Sequence, residues 1–557
     1  MGTEVSYGAA ARATIDAPAM ATTKHEFDAA LQIIAALRAA GYEAYLAGGC
    51  VRDLLLGREP KDYDVATSAT PDVVLEMFPR TFAVGAHFGV VLVATESEGS
   101  EESRSAEHIT EVATFRSDGA YSDGRHPDAV RYTTNAEEDV RRRDFTINGL
   151  LLDPERLFPQ GLKPDSIEAL AARLKSCPDT KQTESSFPKQ FQGNLLGQLQ
   201  SNFPEQFQSD LPEQFQCNSS EQFQSDLSEQ FHENLRTAVI DHVGGLADID
   251  AGVVRAIGQP ELRFEEDHLR MLRAVRFAAR FGFELDAATA AAMRRLAPKI
   301  NLVSRERVRD ELTKMLTEGC ARRAFELLDE TGLLAEVLPE VARMKGVEQP
   351  PQFHPEGDVW THTLQLVGQL EVDCPFTLAW GGLLHDVGKP PTFLRADRIR
   401  FNGHVDVGVA ISAEICRRFR FSNDETRQIL SLVENHMRFA DAPRMKASTL
   451  KRFFRLENFP EHLMLHRMDC MAGSGNLDHW SFVRERYESM PEEAVRPQPL
   501  ITGRELIAAG YRPGAGFREM LHAVEDAQLD GAISTPAEAL ALVRERFPLA
   551  AEKGSEL

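Results

Sequence analysis

The sequence predicts an α+β protein: a small mixed α/β head, then a mostly α-helical neck, body and tail, with a low-complexity insertion breaking the chain between them. Three observations lead there. Strand-like and helix-like runs alternate from His25 to about Pro154. From Lys189 to His232 an eight-residue unit repeats, its EQFQ-like cores beginning at Lys189, Gly197, Glu205, Glu213, Glu221 and Glu229. Beyond Ile240 the informative segments fall mainly into helical patterns. A chain of 557 residues exceeds one core, and about three or four domains is the ordinary outcome.

Residues 1 to 24 are rich in Ala, Thr and Gly and are expected to be disordered. Phe27, Leu31, Ile34 and Leu37 then recur at helical spacing and predict a helix over His25–Arg38. Tyr45 and Leu46 read as the end of a short strand, and Gly48 and Gly49 as a turn where backbone approaches a phosphate beside Arg52. Val51 to Leu56 form a short helix that Gly57 stops. Tyr63 to Ala66 read as a second strand whose period of two places Asp62 and Asp64 on one face. Paired carboxylates suit two Mg²⁺ ions roughly 3.5–4 Å apart, which activate an attacking hydroxyl and neutralise a leaving pyrophosphate.

Gly48, Gly49, Arg52, Asp53, Gly57, Asp62 and Asp64, in that order, resemble the signature of the class II nucleotidyltransferases, the superfamily of bacterial tRNA CCA-adding enzymes and poly(A) polymerases. The resemblance implies that Gly49 and Arg52 touch the incoming triphosphate and that Asp62 and Asp64 carry Mg²⁺. It also implies a third carboxylate from a neighbouring strand, for which Glu111 in EVATFR is the candidate. Phe115 to Val130 is rich in Gly and Asp and resembles the loop that accompanies addition of the terminal A. RRRDFTINGL resembles the second signature of these enzymes, with Arg143 implied as a triphosphate or base contact beside Asp144, and Phe145 and Ile147 as core.

In the family, the Leu152–Pro154 segment is followed closely by an Asp-x-x-Gly-Gly of the kind at Asp241, Gly244 and Gly245. Here the repeat insertion lies between them, at the edge of the head, where a surface loop absorbs it at modest entropic cost. Eight residues do not keep one helical stripe aligned, so the insertion is expected to be disordered, with a small repeat solenoid as the alternative.

RFEEDHLRMLRAVRFAARFGFELD is a helix by spacing, with Leu269, Leu272, Val275 and Ala279 on one stripe and Gly282 at its end. The spacing sets Asp267 and Arg270 on a shared face, and likewise Arg273 and Arg276. In class II enzymes the Asp and first Arg of this pattern read the base edge of ATP or CTP as a protein template. Such a pair is chemically apt: the carboxylate accepts from an exocyclic amine and the guanidinium donates to a ring nitrogen or carbonyl.

A second constellation follows. His362, His385, Asp386, His404, His436 and Asp469 occur in an order that resembles the HD phosphohydrolase superfamily. His and Asp in this number suit one or two ions of Ni, Mn, Co or Fe that activate water on a phosphoester. The resemblance makes His362, His385, Asp386 and Asp469 core ligands, and His404 and His436 ligands of a second ion; an HD fold kept only as an RNA scaffold is the alternative.

Net charge is −23, so a generally nucleic-acid-coating surface is excluded and RNA must be held by local basic patches. Arg141–Arg143, the Arg270/Arg273/Arg276/Arg280 row and Lys446/Lys451/Arg452/Arg455 are the candidates. The seven cysteines are scattered singly, which indicates neither a disulfide framework nor a zinc knuckle and suits a reducing cytoplasm. No apolar run approaches the roughly 20 residues that span a bilayer, and no membrane partner is expected.

The expected divisions are a disordered 1–24, a nucleotidyltransferase head at 25–155, the insertion at 156–236, a helical neck with the nucleotide-selecting motif at 237–345, an HD domain at 346–475 and a helical tail at 476–557. The function implied is template-free addition of CCA to the tRNA 3′ end from CTP and ATP. A bacterial poly(A) polymerase and a protein whose main work is HD phosphohydrolysis are the rivals.

Overall fold

The computed structural model describes residues 16–83, 89–96, 107–119, 130–157, 232–352 and 354–549. Most of the Phe115–Val130 loop and nearly all of the repeat insertion lie outside them. The chain forms two compact units, Met1–Asp267 with Glu284–Thr289, and His268–Phe283 with Ala290–Leu557.

In the first unit, helix α1 (Asp16–Ala39) begins before the expected His25, so part of the segment expected to be disordered is helix. Its Phe27, Leu31, Ile34 and Leu37 are all buried, as their spacing requires. Next come β1 (Ala44–Ala47), α2 (Gly49–Leu55), β2 (Val65–Thr67), α3 (Pro71–Met77), β3 (Thr81–Phe82), β4 (Val90–Glu96), β5 (Glu107–Thr114), β6 (Arg116–Asp118) and β7 (Val130–Tyr132). After α4 (Ala136–Arg141), β8 (Leu150–Leu152) and α5 (Pro154–Leu157), the described chain resumes toward β9 (Val239–Asp241), α6 (Gly245–Ala251), β10 (Val253–Val254) and α7 (Pro260–Glu266).

Seven strands make one sheet in the order β3-β4-β5-β2-β1-β8-β9. Only β2 and β5 pair in parallel within it, Val65 opposite Val112; the other neighbours are antiparallel. β9 was expected inside a helical neck, yet it is the sheet's edge: Leu150, Leu151 and Leu152 pair with Asp241, Ile240 and Val239. Its leucine-rich partner is buried throughout, and β9 supplies the backbone pairing on that side. Ala47, Ala66, Phe115, Val140 and Leu151 pack into a core cluster of this unit.

The second unit is almost entirely helical. Its first helix, α8 (Leu269–Phe281), ends at Gly282 with φ +68° and packs against α10 (Arg305–Thr317) and α11 (Ala321–Glu330), which follow α9 (Ala287–Leu296). Past α12 (Leu333–Val337) and α13 (Pro339–Ala342), a bundle is built from α14 (Val359–Val367), α15 (Phe376–Leu384), α16 (Lys389–Thr392), α17 (His404–Arg418), α18 (Asn423–Asn435), α19 (Ala447–Phe454) and α20 (Phe459–Ala472). In it α14 packs on α15 and α20, and α18 on α15 and α17. Ser422 and Glu425 close a capping box that fixes the start of α18. Phe439, Phe453, Phe454 and Phe459 form an aromatic core beneath it, and Ile501, Leu506, Tyr511, Val524 and Val543 form another nearer the C-terminus. Among the described residues no helix is long and apolar enough to cross a membrane, and no disulfide joins the five cysteines there.

Candidate active site and a buried histidine–carboxylate cluster

The head's site sits where β1, β2 and β5 meet α2. Asp62 and Asp64 lie in the extended segment that leads into β2 rather than inside the expected strand, while the Asp64 carbonyl still accepts from the Ala47 N–H at 3.0 Å. The parallel β2–β5 register starts at Val65 opposite Val112, which brings Asp64, just before β2, beside Glu111 on β5. Burial, together with the charges of Glu111 and Asp62, pushes Asp64 up to about 7 against the opposing Arg143 guanidinium. Glu111 is exposed on β5, an interior strand of the sheet, yet the protein around it withdraws water, and it is raised by that and by Asp62. Three carboxylates crowded to this degree form an all-oxygen donor set short of positive charge, which fits a hard divalent cation.

Gly48 makes the turn into α2 at φ +74°, and a Cβ on it would stand 2.9 Å from Nη1 of Arg143. Glycine therefore lets the guanidinium lie against the backbone. Arg143 is seated from below by Asp139, a side chain only 1% exposed, whose Oδ2 accepts at 3.1 Å. Arg52 is buried and donates to Asp53 Oδ1 through Nε at 2.9 Å and to Asn148 Oδ1 through Nη1. Asn148 also donates to Asp144 at 3.0 Å and offers its carbonyl to Arg143 at 3.4 Å. Phe145 and Ile147 are fully buried, as expected. Asp139 and Asn148 escaped the sequence reading, although both stand within or just before RRRDFTINGL.

In the second unit the histidines and carboxylates expected to act together do meet, at the ends of five helices. His362 on α14 lies 3.0 Å from Asp469 on α20 and 2.6 Å from Glu356. His385 and Asp386 follow α15, 3.1 Å apart through Nε2 and Oδ2. Oδ1 of Asp386 faces Nε2 of His436 at 3.8 Å and of His404 at 4.0 Å. None of those three atoms makes a hydrogen bond, though all are buried. Unpaired buried donors and acceptors are costly, and this convergence of imidazole and carboxylate fits a transition-metal ion. Burial and the neighbouring His385 hold His436 down at about 4, so it stays neutral and able to ligate. Burial also opposes a charge on His362, but the hydrogen bonds to Asp469 and Glu356 override it and push it up to about 9. Gly388 lets α16 touch α17: a Cβ there would lie 2.0 Å from the His404 carbonyl. Lys389, also missed in the sequence, is buried with Nζ 2.7 Å from Asp386 Oδ2 and donates to Gln349 Oε1 at 2.7 Å.

Comparison with known proteins bears on both units. The model of the poly A polymerase head domain matches residues 44–160, that of the probable RNA and SrmB- binding site of polymerase A matches 282–345, and that of the HD domain matches 359–490. The CCA-adding enzyme of Geobacillus thermodenitrificans is 31% identical over 363 residues, 64% of this chain and 67% of the relative. The chain belongs to the family of class II CCA-adding tRNA nucleotidyltransferases. The CCA-adding enzyme of Lactobacillus helveticus is 26% identical over 92% of this chain and 96% of its own. The crystal structure of the Bacillus stearothermophilus CCA-adding enzyme in complex with CTP superposes with a TM-score of 0.59, at 25% identity, over 94% of this chain and 97% of that one.

The family's third motif departs from the expected geometry. Asp267 caps α7 with extended backbone, φ −147° and ψ 106°, and Arg270 belongs to the next helix, so the two do not share one helical face. The stripe of Leu269, Leu272, Val275 and Ala279 is buried as predicted. Arg276 is buried in an ion pair with Glu311 at 2.7 Å and lies over the Phe277 ring, on which Arg273 also rests. The basic patches are largely answered by acids: Arg141 by Glu137, Arg142 and Arg143 by Asp139, and Arg452 and Arg455 by Glu525.

Proposed function

We propose that Asp62, Asp64 and Glu111 hold Mg²⁺ and that this centre adds C, C and A in turn to the 3′ end of tRNA. The observation that carries the reading is the β2–β5 register that brings Asp64 beside Glu111, where burial and then the charges of Glu111 and Asp62 lift Asp64 toward neutrality. Mg²⁺ held there supplies the charge that activates the terminal 3′ hydroxyl toward the α-phosphate and offsets the leaving pyrophosphate. Arg52 and Arg143, with the Gly48–Gly49 backbone, orient the triphosphate. For base selection the family motif offers Asp267 as the acceptor for the base amine and Arg270 as the donor to its ring, with Arg273 as a further guanidinium. CTP, ATP and tRNA are the partners, in keeping with the CTP complex of the Bacillus relative. The head spans 25–155 with β9 completing its sheet, the neck 237–345 and the HD domain 346–475, in a cytoplasmic protein with reduced cysteines.

Asp62→Ala or Asp64→Ala is expected to abolish incorporation of labelled CTP and ATP into tRNA lacking its CCA end, with tRNA binding nearly intact. Wild-type incorporation by either variant ends the metal assignment. Product length separates the rival: a poly(A) polymerase extends with many A residues, whereas a CCA-adding enzyme stops after three additions.

A second reading stands beside the first, because the buried imidazole nitrogens at Asp386 have no other use in the fold. The HD cluster of His362, His385, Asp386, His404, His436 and Asp469 binds a transition-metal ion and hydrolyses a phosphoester.

A further inference from the structure

Glu356 lies outside the six residues of the HD cluster, on the loop that leads into α14. One of its oxygens, Oε1, sits 2.6 Å from Nδ1 of His362 and 2.8 Å from Nδ1 of His354. The side chain is 4% exposed, and its second oxygen, Oε2, is buried without a hydrogen bond. A loop of this length does not need that carboxylate to hold its shape. Asp358 already fixes it, accepting from the N–H of Thr361 at 2.8 Å and of Gly346 at 2.6 Å. What Glu356 does control is the ring of His362, whose side chain is wholly buried. Both neighbours are carboxylates and accept, Glu356 from Nδ1 and Asp469 from Nε2 3.0 Å away; when a cation takes the place of the Nε2 proton, Glu356 keeps the other proton on Nδ1. His362, His385 and Asp386 each bring a ligand atom within 4.8 Å of the others.

We infer that Glu356, steadied by His354, is the positioning residue of the HD metal centre: it locks His362 in the Nδ1–H tautomer and so presents Nε2 to a divalent transition-metal ion. The inference rests on the reading of the HD cluster as a metal centre. Carboxylates that orient a ligating imidazole in this way raise its basicity and hold its plane, and their loss costs about 10–100-fold in metal affinity.

The test is calorimetric titration of Ni²⁺ into the full-length chain carrying Asp62→Ala and Asp64→Ala, which removes two of the head's three carboxylates, with and without Glu356→Gln or Glu356→Ala. Both Glu356 variants are expected to raise Kd about 10–100-fold with the number of bound ions and the melting temperature unchanged. In the ion-bound chain the ¹⁵N shifts of His362 move from the Nδ1–H form to a mixture, and His354→Ala shifts Kd in the same direction by less. Unchanged affinity in both Glu356 variants overturns the inference. Loss of one bound ion also overturns it, since Glu356 is then a ligand itself. A parent chain that binds no Ni²⁺ fails earlier, at the HD reading, and is distinguished by that alone.

Discussion

Gly48, at φ +74°, holds open the space in which Arg143 lies against the backbone. A methyl group there meets Nη1 at 2.9 Å, and the left-handed backbone costs an L-residue about 1–2 kcal/mol. Gly48→Ala is therefore expected to fold but to displace Arg143, and a shift of this size lowers kcat/KM for CTP and ATP alike by about 10²-fold. Steady-state incorporation into tRNA lacking CCA measures it; an unchanged rate would show that Arg143 needs no such seat. Gly48, Arg52, Asp62, Asp64 and Glu111 were legible in the sequence because each residue type has a narrow chemical use at its spacing. Asp139, Asn148, Glu356 and Lys389 were not, because a supporting residue is defined by its partner. Asn148 acquires meaning only when the fold carries it to Arg52, far away in the chain.

Helix α8 shows what periodicity does and does not encode. Its apolar stripe and its glycine stop follow from spacing, since burial of one face demands them. The break at Asp267 leaves the spacing of charges untouched and so could not be seen. Nor does spacing tell which guanidinium a later helix will claim: Glu311 on α10 takes Arg276, and both are buried. Removing one partner of such a pair leaves the other charge uncompensated in the interior, at a cost of about 3–5 kcal/mol. Arg276→Ala is accordingly expected to lower the unfolding free energy by that amount while the ratio of CTP to ATP incorporation stays at the wild-type value. Denaturant unfolding and a two-nucleotide competition assay measure the two effects, and an altered ratio without loss of stability would place Arg276 among the base-reading residues. β9 illustrates the same limit among strands, because three residues beyond a long insertion carry no sign of the sheet they complete.

The two chemical centres lie in different units of the chain, the carboxylates of the head in one and the HD cluster in the other. Each draws on its own residues, so His385→Ala with Asp386→Ala is expected to abolish metal-dependent hydrolysis of 2′,3′-cyclic nucleotides and to preserve CTP and ATP incorporation. Equal loss of both activities would refute their independence, and a parent chain inactive with Ni²⁺ and Mn²⁺ would leave the HD cluster no hydrolytic role. The insertion poses a different question of the whole molecule: what its removal does to a sheet that it interrupts. Leu150–Leu152 enter it and Val239–Asp241 leave it, and these strands pair directly with each other. The Asp153 N–H donates to the Ala238 carbonyl at 3.0 Å, so the connection begins and ends at neighbouring points. Every strand in the sheet order comes from the described residues on either side of the repeats, and so does each of Asp62, Asp64 and Glu111. Loop closure depends only logarithmically on length, about 0.6 kcal/mol for each halving, and shortening acts in the stabilising direction. Deletion of 189–232 is thus expected to leave nucleotide addition at the wild-type rate and the melting temperature equal or slightly higher, by incorporation assay and circular dichroism. A collapsed far-ultraviolet spectrum or a lowered melting point would mean that the repeats support the β8–β9 edge after all.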